Sequence, residues 1–320
     1  MKRFKNILFL SNPKVKQNAA IRRAVSLARQ NDARVTVLSV LASSAYTLPG
    51  QVPDDELDSL QAQLVHERRL EVEKVADGFS QEGIDVQSRV VVGVAFIEAI
   101  REVLREQHDL VILAADSRHG LISRLFGSLS MHLMRKCPCP VWVVRPGSGK
   151  SYRRVLAAVD IFSEPFDDAE ESINALILQL SSSLAQLDSS ELHVIQVWNV
   201  ANEGWLGGPG GTDDKTFRKV RDETRRDLAA RLEHLMQFID RDSVGTVRTH
   251  LKRDEDPAES IVKLARKQKI DLLVMGSVCR TGLSGFLIGN TAEEVLGAVD
   301  CSVLTVKPQG FVSPVTLDDQ

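Results

Sequence analysis

The sequence predicts a duplicated α/β protein, two copies of one domain, each a parallel sheet with helices on both faces. Three observations carry this. Residues 109–146 (DLVILAADSRHGLISRLFGSLSMHLMRKCPCPVWVVRP) align without a gap on residues 271–308 (DLLVMGSVCRTGLSGFLIGNTAEEVLGAVDCSVLTVKP) at a constant offset of 162. Arg118, Gly120, Leu121, Leu125, Gly127, Cys139, Val141, Val144 and Pro146 thereby fall on Arg280, Gly282, Leu283, Leu287, Gly289, Cys301, Val303, Val306 and Pro308. A repeat this long means two domains, since solenoid periods run to a few tens of residues. Short apolar runs also alternate with stretches of helical period, the pattern of a parallel sheet covered on both faces. Finally, 320 residues divide into two domains of about 150, each large enough for its own core.

In chain order, residues 7–10 (ILFL) form a continuous apolar run ending at Ser11, Asn12 and Pro13, as a buried parallel strand with its exit turn does. Residues 19–28 have helical spacing and residues 34–40 return to strand character. Residues 46–53 read as a loop carrying Pro49, Gly50 and Pro53, and residues 54–79 as a long charged helix. A strand (86–92), a helix (95–104) and a strand (110–113) complete the approach to the repeated stretch. The second copy repeats the order, with a strand at 155–159 ending at Asp160, a helix over about 168–187 and a strand at 192–198. The Gly-rich segment 204–211 and a long helix over 213–239 follow, then elements at 246–251, 258–267 and 272–275. Residues 147–151 (GSGKS) read as a linker, giving domains at 1–147 and 152–308 and a tail at 309–320. The linker is no P-loop, because the residue five before Gly149 is Val144.

Composition narrows the function. A formal charge of −3 offers no basic surface for nucleic acid or an acidic membrane. No run approaches the ~18 apolar residues of a membrane span. The basic start followed by ILFL is too short for a leader and reads as the first strand, so a cytoplasmic location is expected. Four cysteines agree with a reducing compartment, and Cys137 and Cys139 form a lone C-x-C without a second pair. No metal site is expected.

Chemistry, if there is any, belongs to the repeated stretch. There a strand (271–275) leads through a Gly-rich loop (276–289) into a helix opening near Asn290 and Thr291. Free N–H groups and the positive dipole end at such a helix start suit an anion such as phosphate. No catalytic constellation accompanies it. The histidines, at 66, 108, 119, 132, 193, 234 and 250, make neither H-x-x-x-H nor H-E-x-x-H. Of these, His119 and His132 flank the first-copy loop and read as surface or packing residues.

The phrases HDLVIL near residue 110, LMRKCPCPVW (133–142), GSVCRTG and GNTAEEVL (276–296) and the tail SPVTLDD resemble the universal stress protein family, and the whole chain resembles its tandem-domain members. The resemblance implies two Rossmann-like, five-stranded α/β domains joined as single-domain relatives join in dimers, with further homodimerisation left open. It also implies a role in stress resistance through a small ligand or a protein partner, without catalysis. An ATP-binding switch with slow hydrolysis and a ligand-free scaffold are the alternatives.

Nucleotide-binding members place an Asp after the first strand, then Gly, two residues, Gly, nine residues, Gly and Ser or Thr. In the second copy these positions hold Asp160, Gly276, Cys279, Gly289 and Asn290, with Thr291 adjacent; in the first they hold Asn12, Ala114, Ser117, Gly127 and Ser128. Neither copy is intact. Cys279 puts a side chain where the pattern has bare backbone, whereas Asn290 and Thr291 still offer donors. The resemblance therefore makes the second copy the more competent for ATP or a nucleotide-like molecule, with Gly127 and Ser128 left as the anion site of the first. Arg118 and Arg280 share a loop position and read equally well as phosphate contacts or solvated arginines.

Overall fold

The computed structural model describes residues 4–43, 54–116, 126–161, 173–199, 214–241, 244–277 and 289–317. The expected loop at 46–53 and the Gly-rich segment at 204–211 lie outside them. Contacts divide the chain into two compact units, Met1–Ser151 with Ser277–Gln320 (unit 1) and Tyr152–Gly276 (unit 2). The division does not follow the repeat, because the last helix and strand of the second copy belong to unit 1.

Unit 1 is built from β1 (Asn6–Leu10), α1 (Asn18–Asn31), β2 (Arg34–Leu41), α2 (Asp54–Gln81), β3 (Val86–Val92), α3 (Ala95–Glu106), β4 (Leu110–Ala114), α4 (Ser128–Lys136) and β5 (Val141–Val144). The five strands of this first copy lie in the order β3-β2-β1-β4-β5 and are all parallel. β1, β4 and β5 are buried at every residue. That is what continuous apolar runs such as ILFL and VWVV require, since helices cover both faces and no alternation is left to read. Helices α1 and α3 end on Asp32 and Gln107, both in the left-handed region, where the cap N–H returns to a last-turn carbonyl.

The second copy contributes α8 (Asn290–Ala298) and β10 (Ser302–Val306) to unit 1, and β10 pairs antiparallel with β5. The register sets Val303 on Val143, Leu304 on Trp142 and Thr305 on Val141. At the repeat offset Leu304 is the equivalent of Trp142, so the pair is locally twofold about equivalent positions. Just beyond β10, Lys307 is 5% exposed and donates from Nζ to the carbonyls of Met134 and Arg135 and to Ser277 Oγ. A buried ammonium thus satisfies the open carbonyls ending α4, while burial lowers its pKa to about 8.

Unit 2 comprises β6 (Arg154–Val159), α5 (Ile173–Asp188), β7 (Glu191–Trp198), α6 (Asp214–Leu235) with a 3-10 turn (Met236–Phe238), β8 (Thr246–Arg253), α7 (Pro257–Gln268) and β9 (Leu272–Gly276). Its four strands run parallel in the order β9-β6-β7-β8. α7 begins by the capping rules: Asp256 accepts from the Glu259 N–H at 2.8 Å and Pro257 stands at the first position. On β7 and β8, His193 and His250 lie nearly coplanar, 4° between ring planes, with Nδ1 of the first 2.9 Å from Nε2 of the second. No helix of the described residues is long and apolar enough to cross a membrane.

Candidate functional site

The order β3-β2-β1-β4-β5 reverses direction between β1 and β4, and in open parallel sheets the crevice outside the carboxyl ends at such a point is where ligands bind. A cavity of about 540 Å³ lies there in unit 1, within the roughly 300–1,000 Å³ of small-molecule sites. Leu10, Leu38, Val40, Leu113 and Ala114, from the ends of three buried strands, give it an apolar lining. Polar groups come from the turns that follow.

After β1, Gln17 Oε1 accepts the Asn12 N–H at 3.1 Å, and Asn12 Oδ1 accepts the Lys14 N–H at 3.0 Å. With that oxygen engaged, Asn12 keeps its amide N–H groups to donate. Arg68 enters the cavity wall from α2, its Nη1 3.0 Å from Ser39 Oγ and its Nε 2.9 Å from Glu71. Asp116 and the start of α4 at Gly127 and Ser128 close the other side. Gly127 has φ −70° and ψ 174°, a conformation open to any residue, and a Cβ there would make only ordinary contact with Asp116, so neither backbone nor packing demands glycine at this position.

Of the first-copy candidates the structure gathers Asn12, Ala114, Gly127 and Ser128 around this one cavity, while Ser117 lies outside the described residues. Arg68 and Asp116 are additions that sequence reasoning missed. Arg68 looks like one more charge on a solvated helix, yet it stands four residues before fully buried Val72 on the inward stripe of α2 and is only 15% exposed.

The second-copy candidates are distributed differently. Asp160 and Gly276 belong to unit 2, Gly289, Asn290 and Thr291 to unit 1, and Cys279, like Arg118, His119 and Arg280, lies outside the described residues. The backbone of Asp160 is tied to Asn174, whose side chain accepts its N–H and donates to its carbonyl, each at 2.9 Å. Gly276 is filled from within, for a Cβ there would stand 2.9 Å from Ile173 Cδ1. Its missing side chain makes room for α5. Gly276→Val is therefore expected to destabilise the protein by about 1–3 kcal/mol through overpacking, with Gly276→Val/Ile173→Ala recovering part of the loss. Urea unfolding of the single and double variants checks this, and a single variant as stable as wild type would remove the packing role.

Among the described residues no three His, Cys, Asp or Glu side chains are grouped to hold a metal ion. His132 stacks on Phe96 at 4.3 Å. The Cys137 and Cys139 sulfurs lie 3.5 Å apart, and the hydrogen bond with Cys137, with burial behind it, pushes the Cys139 thiol up, away from the reactive thiolate.

The sequence matches the universal stress protein family over residues 3–145 and again over 151–307. It is 29% identical over 324 residues to the universal stress protein E homolog of Haemophilus influenzae, covering 96% of this chain and 98% of that one. With universal stress protein E of Escherichia coli K12 the identity is 28% over 331 residues, covering 100% and 99%. Among solved structures, a functionally unknown protein from Pseudomonas aeruginosa PAO1 superposes with a TM-score of 0.70 at 23% identity, covering 97% of this chain and 95% of its own. A universal stress protein from Archaeoglobus fulgidus gives 0.60 at 17%, covering 95% and 98%. These structural likenesses speak to the fold, and the two consecutive sequence matches to the lineage: the chain belongs to the universal stress protein family, of which it carries two domains in tandem.

Proposed function

We propose that the chain is a non-catalytic, cytoplasmic stress-response protein that acts by holding a small molecule in the unit 1 cavity. The observation that carries this reading is the convergence of three strand ends, the turn after β1 and the start of α4 on one cavity at the β1–β4 crevice. Its apolar lining and separate polar ends suit a ligand of nucleoside size with a flat or apolar body. Asn12, Ala114, Gly127 and Ser128 are its contacts. An ATP switch in the second copy is the weaker reading, because Ile173 Cδ1 would stand 2.9 Å from a Cβ at Gly276, which gives that glycine a packing use. The twofold register of β5 on β10 supports a further part of the reading, in which the two copies stand in for the two subunits of a dimer.

Ala114→Trp tests the ligand site, since an indole at the end of β4 fills the cavity. Native mass spectrometry of the freshly purified wild-type chain is expected to show a bound small molecule that the variant lacks while keeping its far-ultraviolet dichroism. A wild-type chain without any adduct, whose melting temperature no nucleoside or nucleotide raises, would count against the reading.

A further inference from the structure

Cys137 and Cys139 take no part in lining the unit 1 cavity, yet the fold turns them towards each other. Cys137 ends α4, its N–H returning to the Leu133 carbonyl at 2.9 Å, and is fully buried. Pro138 restricts the backbone between the two cysteines. Cys139 is half-buried, and its sulfur stands 3.5 Å from that of Cys137. Two thiols in contact, one within reach of solvent, can grip a soft cation between them. A second feature favours that use. Lys307 is 5% exposed, and its Nζ donates to the carbonyls of Met134 and Arg135, just before Cys137. Continuing the antiparallel register of β10 on β5 by two places sets Lys307 opposite Cys139. Among the described residues no carboxylate pairs with this ammonium: besides the two carbonyls it meets the Ser277 hydroxyl and, 4.9 Å away, the Phe311 ring. Burial lowers its pKa and Cys137 opposes the shift. A buried ammonium of this kind calls for an anion beside it.

We propose that Cys137 and Cys139 form a two-coordinate site for a soft monovalent cation, Cu(I), with the Lys307 ammonium balancing the charge of the bis-thiolate complex. Two S–H protons leave for solvent as two sulfur–metal bonds form, and the complex carries one negative charge. With bonds of about the 2.3 Å that zinc makes to sulfur, a cation in line between the sulfurs holds them about 4.6 Å apart. Turning the half-buried Cys139 side chain by about 1 Å opens that space. The raised Cys139 thiol disfavours attack on a peroxide, which needs a free thiolate, whereas a bound cation displaces the proton outright. Zinc fits less well, because its structural sites take four ligands and no third ligand-bearing side chain is grouped here among the described residues.

Anaerobic titration of the full chain with Cu(I), in competition with the chelator bicinchoninate, reads the affinity, and Zn²⁺ is the comparison probe. Wild type is expected to take one Cu(I) from the chelator. Cys139→Ser and Cys137→Ala are each expected to weaken binding at least about a hundredfold, beyond what an outer-shell partner carries. Cys139→Ser, at the half-buried position, carries the test should the change at buried Cys137 disturb folding. Cys279→Ser is expected to bind as wild type does. Lys307→Met is expected to lose about tenfold, and Lys307→Arg, which keeps the charge, to lose less. A wild-type chain that takes no Cu(I) from the chelator, or binding that survives Cys139→Ser, would overturn the site. So would Zn²⁺ held as tightly as Cu(I), since two sulfurs do not satisfy it. Equal affinity in wild type and Lys307→Met would overturn the part given to the ammonium.

Discussion

Replacing Trp142 with alanine is expected to lower the free energy of unfolding by about 3–5 kcal/mol, the range for deleting a large aromatic side chain from a packed core. Trp142 is 1% exposed in the middle of β5, opposite Ile112 of β4 on one side and Leu304 of β10 on the other. It joins the strands of the first copy to the last strand of the second. The loss is therefore expected to couple to β10: in a double-mutant cycle with Leu304→Ala, the two changes should depart from additivity by about 0.5–3 kcal/mol. Guanidinium unfolding followed by far-ultraviolet dichroism reads both quantities. A Trp142→Ala loss below about 1 kcal/mol would show that the side chain is not packed as described, and strict additivity would uncouple β5 from β10.

Acid is expected to weaken unit 2 through its histidine pair. His193 and His250 share one N–H···N contact of 2.9 Å, an arrangement only a neutral or singly protonated pair can keep. Burial lowers the pKa of His193, partly opposed by Glu191, whose carboxylate lies 3.7 Å from Nε2. Burial, the neighbouring His193 and the cationic Lys252 and Arg248 lower that of His250 to about 4. The sign follows. Both groups bind protons more weakly in the folded chain than the ordinary value of about 6.5, so their contribution is complete above that pH and is lost as pH falls towards 4. Discounted for the part-exposed His250 ring, the loss is about 2 kcal/mol. Urea unfolding at pH 7.5 and pH 5 measures it against His193→Gln/His250→Gln, which is expected to lose less over the same interval. A wild type and double variant with the same pH dependence would show that the pair carries none of it.

How much was legible in advance differs between fold and site. The parallel sheet could be read because ILFL, LVIL and VWVV are continuous apolar runs, which only strands covered on both faces tolerate. The tandem could be read from the gapless alignment of 109–146 on 271–308, and the family from the same residues. For the site, the sequence gives Gly276 and Gly289 to the copy with more of the phosphate pattern. A glycine, however, is compatible with two opposite uses, approach by a ligand or packing by a neighbour, and at Gly276 the neighbour is Ile173, reached across the fold from α5.

The sequence by itself determined the fold class, the duplication and the family, because each depends on local periodicity or on residues compared in order along the chain. Only the tertiary structure decided that α8 and β10 join the first copy's unit, that Trp142 meets its own repeat equivalent, and that Arg68 and Asp116 face one cavity. The physical reason is distance along the chain: strand pairing and cavity walls bring together residues tens to more than a hundred positions apart, and one sequence records no such pairing. Apolar patterning says which side chains leave water, and packing alone says what they leave it for.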